Sequence, residues 1–105
     1  MEKILIPGNG YSLEGNIFIP KEKKAKNPAV LLLHGWNSAQ DRMFDTAKIL
    51  TDKFSLVCLT LDLPGHGKSA GDKNSLSRKD FLDDVIAGYD LLAKRDDVNK
   101  EKIGV

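Results

Sequence analysis

The sequence predicts an α/β protein in which a lead-in β-hairpin is followed by a parallel β-α-β-α-β unit. Two continuous aliphatic runs, 30–33 and 56–61, are each followed by a segment with apolar residues at helical spacing. A third short run, 103–105, follows the second of these segments. Strands that alternate with helices of this length favour a parallel sheet connected by crossover helices.

The hairpin is predicted over residues 3–19. Two β-type runs flank Asn9 and Gly10, and Asn-Gly between such runs is a strong short-range hairpin pattern. The charged stretch 21–28 follows, and a basic loop of this size is typical of a solvated connection. It joins the hairpin to the parallel unit, which is predicted over residues 29–105.

The central strand lies between Pro28 and Gly35, and its continuous aliphatic character predicts burial on both faces. Residues 38–41 resemble a capping box, so Ser38 is predicted to cap the helix that follows. One apolar stripe is predicted to pack that helix against the sheet; it comprises Met43, Ala47, Leu50 and Phe54.

A second helix is predicted from the capping pattern that begins at Ser77. Its predicted inner face comprises Leu82, Val85, Ile86, Tyr89, Leu92 and Ala93. Gly88 interrupts this helix, and close packing against the sheet would explain it. Residues 96–102 are predicted to form a polar turn before the last strand.

Composition restricts the classes of partner and site. Sixteen basic and fifteen acidic residues leave a formal charge of +1, which argues against a nucleic acid or an anionic membrane as the main partner. The lone Cys58 lies within an aliphatic run and is predicted to be a core thiol. Two separated histidines do not give metal-ligand spacing. No apolar run reaches membrane-spanning length, and we expect a cytoplasmic protein.

Two loop motifs give the sequence a family resemblance. His34-Gly35 directly follows the central strand, and a glycine-rich loop at 62–69 directly follows the second aliphatic run. In this order, with a capped helix and the run 103–105 after them, the motifs resemble the N-terminal part of an α/β-hydrolase. The closest resemblance is to the serine aminopeptidase, monoacylglycerol lipase and dienelactone hydrolase group. It covers nearly the whole chain as one partial domain, 1–105.

The resemblance implies acyl transfer through a serine without a cofactor, on a small-molecule acyl substrate. Such chemistry needs backbone N–H groups that stabilise the oxyanion of the tetrahedral intermediate. By the resemblance one donor is the backbone N–H of Trp36, held by Gly35, which would allow a tight turn where substrate approaches. Such a donor is worth about 3 kcal/mol of barrier. The Trp36 indole would line the acyl pocket, contact a lid, or be an ordinary surface or core aromatic residue.

The two histidines are predicted to shape loops or line the pocket, as is Asn37. In this fold the triad histidine follows the nucleophile in the chain, so His34 is predicted to orient its loop through imidazole hydrogen bonds. The same argument applies to His66, whose glycine-rich loop would use it for turn geometry, with the ring at the border of the pocket.

Ser69 lies in a literal G-x-S-x-G pattern, but its context differs from a nucleophile elbow. The four loop residues 64–67 precede Lys68 and Ser69 in place of a strand, and no histidine follows residue 66. We therefore predict that the Ser69 hydroxyl ties its own loop backbone. A phosphate-binding loop is also excluded, because Asp62 stands where that motif needs a glycine.

In the family that the sequence resembles, the serine elbow follows the strand that begins at 103–105. We therefore expect the chain to be an incomplete hydrolase that is inactive alone, acting as part of a larger protein on a carboxylic ester, thioester or amide. A non-catalytic module that pairs with itself or another chain through its uncovered sheet edge is the main alternative. A third possibility is a lyase or cofactor-free peroxidase with the same fold.

Overall fold

A computed structural model describes residues 1–7, 12–22, 24–63, 65–69 and 78–105. It contains the strands β1 (Glu2–Pro7), β2 (Ser12–Phe18), β3 (Asn27–Leu33), β4 (Val57–Leu61) and β5 (Val98–Gly104). These five strands form one sheet in the spatial order β1-β2-β4-β3-β5. A 3-10 helix (Gln40–Met43) and α1 (Phe44–Phe54) connect β3 to β4, and α2 (Arg78–Ala93) lies between β4 and β5. Among the described helices, none is long and apolar enough to cross a membrane.

Strands β1 and β2 form the predicted antiparallel hairpin. Their register runs from Glu2 opposite Ile17 to Pro7 opposite Ser12. The predicted turn residues Asn9 and Gly10 lie outside the described residues. Strand β2 then pairs antiparallel with β4, which attaches the hairpin to the edge of the parallel unit.

Strand β3 is parallel to both of its neighbours, β4 and β5, so the predicted β-α-β-α-β unit is confirmed. Its two faces contribute to different core clusters: Leu31 packs with Leu59 and Leu92, whereas Val30 packs with Cys58. The first cluster lies under α2 and the second under α1. Both faces of β3 are therefore covered as predicted, although Val30, Leu32 and Leu33 are only partly buried.

Cys58 is buried, and the loss of solvation raises the pKa of its thiol. The thiol form is thereby favoured over the nucleophilic thiolate, as expected for a core cysteine.

The prediction of a polar turn over 96–102 is wrong in part, because β5 already begins at Val98. The register places Val98 opposite Asn27 and Ile103 opposite Ala29, so β5 bulges outward between these pairs. The bulge explains how a strand can accommodate the exposed polar residues 100–102.

Two predictions about the helix faces are wrong. Phe54 at the end of α1 is exposed, and Phe44 makes the aromatic contact to the sheet, with its ring centroid 5.8 Å from that of Phe18. Leu82 and Ile86 on α2 are also exposed. The buried line of α2 is Asp84, Gly88 and Leu92.

α2 packs against the sheet at Gly88. A Cβ atom built there would lie 3.5 Å from side-chain atoms of Leu31 and Leu61, which is ordinary van der Waals contact. Leu82 is two residues from the buried Asp84, roughly 200° around the helix, and therefore faces outward. The position is buried as predicted, but alanine would fit there, so close packing does not explain the glycine.

The predicted cap at Ser38 is also wrong. The residue before the 3-10 helix is Ala39, which makes no side-chain capping bond. The Ser38 N–H instead closes a turn onto the carbonyl of Gly35, which places Ser38 before the helix. The second predicted cap, Ser77, lies outside the described residues.

Two leucines on α2 provide a matched test of the observed helix orientation. Leu92 is 0% exposed and Leu82 is 57% exposed. We expect Leu92→Ala to lower the free energy of unfolding by about 3 kcal/mol, because it leaves a cavity in the core. Leu82→Ala should change it by less than about 0.5 kcal/mol. Urea denaturation of both variants measures this, and equal losses would contradict the orientation.

Candidate functional site

The candidate site consists of two loops that leave adjacent parallel strands at the same end of the sheet. Leu33 and Leu61 are paired in register at the ends of β3 and β4, so the loops 34–40 and 62–69 begin side by side. Ligands of open α/β sheets bind at this end of the strands. The predicted site residues His34, Gly35, Trp36, Asn37 and His66 all lie on these loops.

His34 is buried and links the two loops. Its Nε2 accepts a hydrogen bond from the Leu63 N–H at 3.0 Å, and its Nδ1 lies 2.7 Å from the Gly35 carbonyl oxygen. Because Nε2 acts as the acceptor, Nδ1 carries the proton and donates to Gly35. The hydrogen-bond network therefore assigns a neutral Nδ1–H tautomer, with both ring nitrogens engaged in positioning the loops.

The loop after β3 turns at residues 35–38. The Ser38 N–H donates to the Gly35 carbonyl at 3.1 Å, and Asn37 has a φ of 61°. A left-handed residue at the third position of a four-residue turn is typical of type II, and asparagine adopts this conformation readily.

Gly35 has a different role from the one predicted from backbone freedom. It is not among the residues of positive φ, because the left-handed position of the turn is taken by Asn37. A Cβ atom built on Gly35 would find no atom of the described residues within 4 Å. Among these residues, nothing therefore requires glycine at this position of the turn.

The Gly35 carbonyl fixes the direction of the Trp36 N–H, because both groups belong to one planar trans peptide. This carbonyl accepts from His34 Nδ1 and from the Ser38 N–H. Two donors from different directions hold the peptide plane against rotation. The Trp36 N–H consequently points away from them in a fixed orientation.

The Asp62 carboxylate lies beneath the two loops and accepts hydrogen bonds from both of them. No pattern in the sequence predicted this structural role. The carboxylate is 3% exposed and accepts three N–H groups. Gln40 donates its backbone N–H at 2.8 Å and its Nε2 at 3.0 Å, and the Lys68 N–H donates at 3.1 Å. A buried carboxylate is tolerated only with such compensation, so Asp62 draws both loops together.

Gln40 uses its whole hydrogen-bonding capacity within this network. Its Oε1 accepts from Thr60 Oγ1 at 2.7 Å and from Asn16 Nδ2 at 3.0 Å, and its Nε2 also reaches the Glu14 carbonyl at 3.3 Å. The available sequence signal was the polar residue Thr60 inside the otherwise apolar β4. Because residues 38–41 were interpreted as a capping box, the role of Gln40 in this hydrogen-bond network was not predicted.

Ser69 binds backbone on two sides. Its hydroxyl donates to the Asp62 carbonyl and accepts the Glu14 N–H at 2.8 Å, so the predicted loop-tying role is confirmed. Gly67 has a φ of 51°, and a Cβ atom there would lie 2.3 Å from the Asp62 carboxyl carbon. The loop can therefore close around Asp62 only with glycine at position 67.

Four rings form a contiguous cluster above these loops. The His66 ring lies 5.1 Å from the rings of both His34 and Trp36. Phe81 from α2 lies 5.7 Å from the Trp36 ring and 6.1 Å from that of His66. Phe81 was not among the predicted site residues, because nothing in the sequence distinguishes it from an ordinary helix residue. Within the described ranges, no group of three His, Cys, Asp or Glu side chains is placed to hold a metal ion.

Comparison with known proteins gives one curated relative and many similar solved structures, whereas no protein-family model matches the chain. Monoacylglycerol lipase abhd6-B from Xenopus laevis is 36% identical over 59 residues, which are 53% of this chain and 17% of the lipase. Est1E from Butyrivibrio proteoclasticus, solved with bound ferulic acid, superimposes with a TM-score of 0.81 and 25% identity, over 91% of this chain and 39% of Est1E.

The α/β-hydrolase GrgF from Penicillium sp. sh18 superimposes with a TM-score of 0.83 and 21% identity, over 99% of this chain and 37% of GrgF. The chain thus spans well under half the length of these proteins. The similarity establishes the fold predicted from the sequence, and it extends from the hairpin through β5.

The buried carboxylate can be tested by Asp62→Asn. One acceptor oxygen becomes an NH₂ group that faces N–H donors, and we expect a loss of about 2 kcal/mol in the free energy of unfolding. Asp83→Asn is the matched control, because among the described residues Asp83 forms an ion pair with the exposed Lys79, and such surface pairs contribute little. Urea denaturation compares the two variants, and an Asp62→Asn protein as stable as the control would contradict the central role of Asp62.

Proposed function

We propose that this chain, which belongs to the α/β-hydrolase superfamily, supplies the oxyanion-hole loop of a serine hydrolase that acts on a carboxylic ester, thioester or amide. The observation that carries the proposal is the orientation of the Gly35–Trp36 peptide by His34 and Ser38. Preorganised backbone donors of this kind stabilise the developing oxyanion without reorganising during the reaction.

In the proposed reaction a serine attacks the substrate carbonyl carbon, and the carbonyl oxygen becomes negatively charged. The Trp36 N–H donates to this oxygen, and the second donor is the N–H of the residue after the nucleophile. His34 is a positioning residue in this scheme, because both of its nitrogens already bind the loops. Gly35 adds no side chain beside this N–H, and no atom of the described residues lies within 4 Å of its Cβ position, which favours approach of the acyl group there.

The proposal places the nucleophile after β5 rather than at Ser69. The Ser69 hydroxyl is engaged with the backbone of Asp62 and Glu14, and it is buried. The acid and the histidine of the triad would follow the nucleophile in chain order. The lipase, Est1E and GrgF described above are roughly two and a half to six times longer than the regions that match, which is consistent with this placement.

The coding sequence that follows the Val105 codon tests the proposal, together with the intact mass of the protein from its source cell. We expect an open frame with G-x-S-x-G shortly after β5, then an acidic residue and a histidine. A stop codon together with a native mass of 11.6 kDa would exclude a serine hydrolase built from this chain alone.

The position of β5 favours a second function. β5 lies at one edge of the described sheet, and no described strand pairs with its outer side. The chain would then be a non-catalytic module that pairs with itself or with another chain through that edge. Sedimentation of the 105-residue chain over a range of concentrations separates the two functions. Association with a defined stoichiometry, combined with the stop codon described above, would favour pairing.

Two substitutions of Trp36 separate its N–H from its side chain. Trp36→Pro removes the N–H at the second position of a turn where proline is favoured, whereas Trp36→Ala removes only the indole. In an enzyme containing these residues and the triad, we expect kcat of Trp36→Pro to be about 100-fold below that of Trp36→Ala. Equal kcat values in two folded variants would refute the oxyanion role.

A further inference from the structure

Trp36 is unusual among the aromatic residues of the site because it is both exposed and fixed. It is 59% exposed, yet its ring contacts His66 at an interplanar angle of 75° and Phe81 at 58°. These two partners come from the loop after β4 and from α2, so three separate elements set the orientation of the indole. An exposed aromatic ring held in this way is preorganised to bind a ligand at low entropic cost.

The position of the ring relates it to the proposed reaction. The same residue supplies the oriented N–H and the exposed indole, so a carbonyl bound to the N–H has its substituent within reach of the ring. Gly35 adds no side chain beside this place, and a Cβ atom there would meet no atom of the described residues within 4 Å. A flat group can therefore lie against Trp36 and Phe81 without obstruction by residue 35.

We propose that Trp36 and Phe81 form an aromatic wall that selects substrates with an aromatic acyl group, bound with the acyl carbonyl at the Trp36 N–H. This inference rests on the proposed function, since it assigns the acyl side of the substrate to the wall. Aromatic rings gain from offset or edge-to-face packing beyond the burial of apolar area, whereas an aliphatic chain of similar size does not. His66 supports the indole from its inner side and is a positioning residue for the wall.

The chain contains one tryptophan, so a single indole N–H signal in a ¹H–¹⁵N NMR spectrum reports on the wall. The ligands are 3-phenylpropanamide, 3-cyclohexylpropanamide, which has a saturated ring with the same number of carbon atoms, and ethylbenzene, which has the aromatic ring without the carbonyl. We expect 3-phenylpropanamide to shift the indole and backbone N–H signals of Trp36 and to bind about 5-fold more tightly than 3-cyclohexylpropanamide.

Two phenylalanine variants complete the test. Phe81→Leu should weaken the binding of 3-phenylpropanamide about 5-fold, since it removes one ring of the wall. Phe54→Leu changes an exposed phenylalanine at the end of α1 and should leave the affinity unchanged. Equal binding of 3-cyclohexylpropanamide, an unchanged affinity in Phe81→Leu, or no binding of 3-phenylpropanamide would each overturn the aromatic wall.

The ligand pair also distinguishes this inference from the proposed function. If ethylbenzene binds as tightly as 3-phenylpropanamide and the backbone N–H of Trp36 does not shift, the wall is supported while the oxyanion role loses its support. If the amides shift that backbone signal but show no preference for the aromatic ligand, the wall is refuted while the oxyanion role stands.

Discussion

The burial of the Asp62 carboxylate constrains the loops at the candidate site. A charge placed at the end of a buried strand is costly unless hydrogen-bond donors surround it. The donors here are two groups of Gln40 from the loop after β3 and the backbone of Lys68 from the loop after β4. Both loops must therefore close onto Asp62, which also explains why residue 67 is glycine.

His34 makes a second connection between the same loops, nearer to the surface. It joins the backbone of Leu63 to the carbonyl of Gly35, and that carbonyl determines where the Trp36 N–H points. The buried hydrogen bonds to Asp62 set the separation of the two loops. The hydrogen bonds of His34, nearer to the surface, set the orientation of the Gly35–Trp36 peptide. A donor oriented by the fold before substrate arrives is what oxyanion stabilisation requires.

Strands and topology could be predicted from the sequence because apolar runs report burial directly. β4 is buried on both faces, and β3 is covered on both faces although alternate residues of it are only partly buried. The helix faces were harder to predict, because Leu82 and Ile86 have the same spacing as true core residues, and the tertiary packing of α2 decides which of its faces is buried.

The site was predictable where a motif marks it and not where partners are distant in sequence. The loop residues 34–37 and His66 follow from the resemblance, whereas Gln40 and Asp62 are 22 positions apart and neither lies in a pattern that pairs them. Phe81 is likewise brought to Trp36 by the packing of α2. Long-range polar networks depend on tertiary contacts that local periodicity does not encode.

The most direct test of the oriented Trp36 N–H is the tautomer of His34, measured from the ¹⁵N chemical shifts of its imidazole ring. The geometry predicts a proton on Nδ1 and an unprotonated Nε2 that accepts the Leu63 N–H. A proton on Nε2 would contradict it, because Nε2 could not accept that bond, the Gly35 carbonyl would lose its donor from His34, and the Gly35–Trp36 peptide would no longer be held in place.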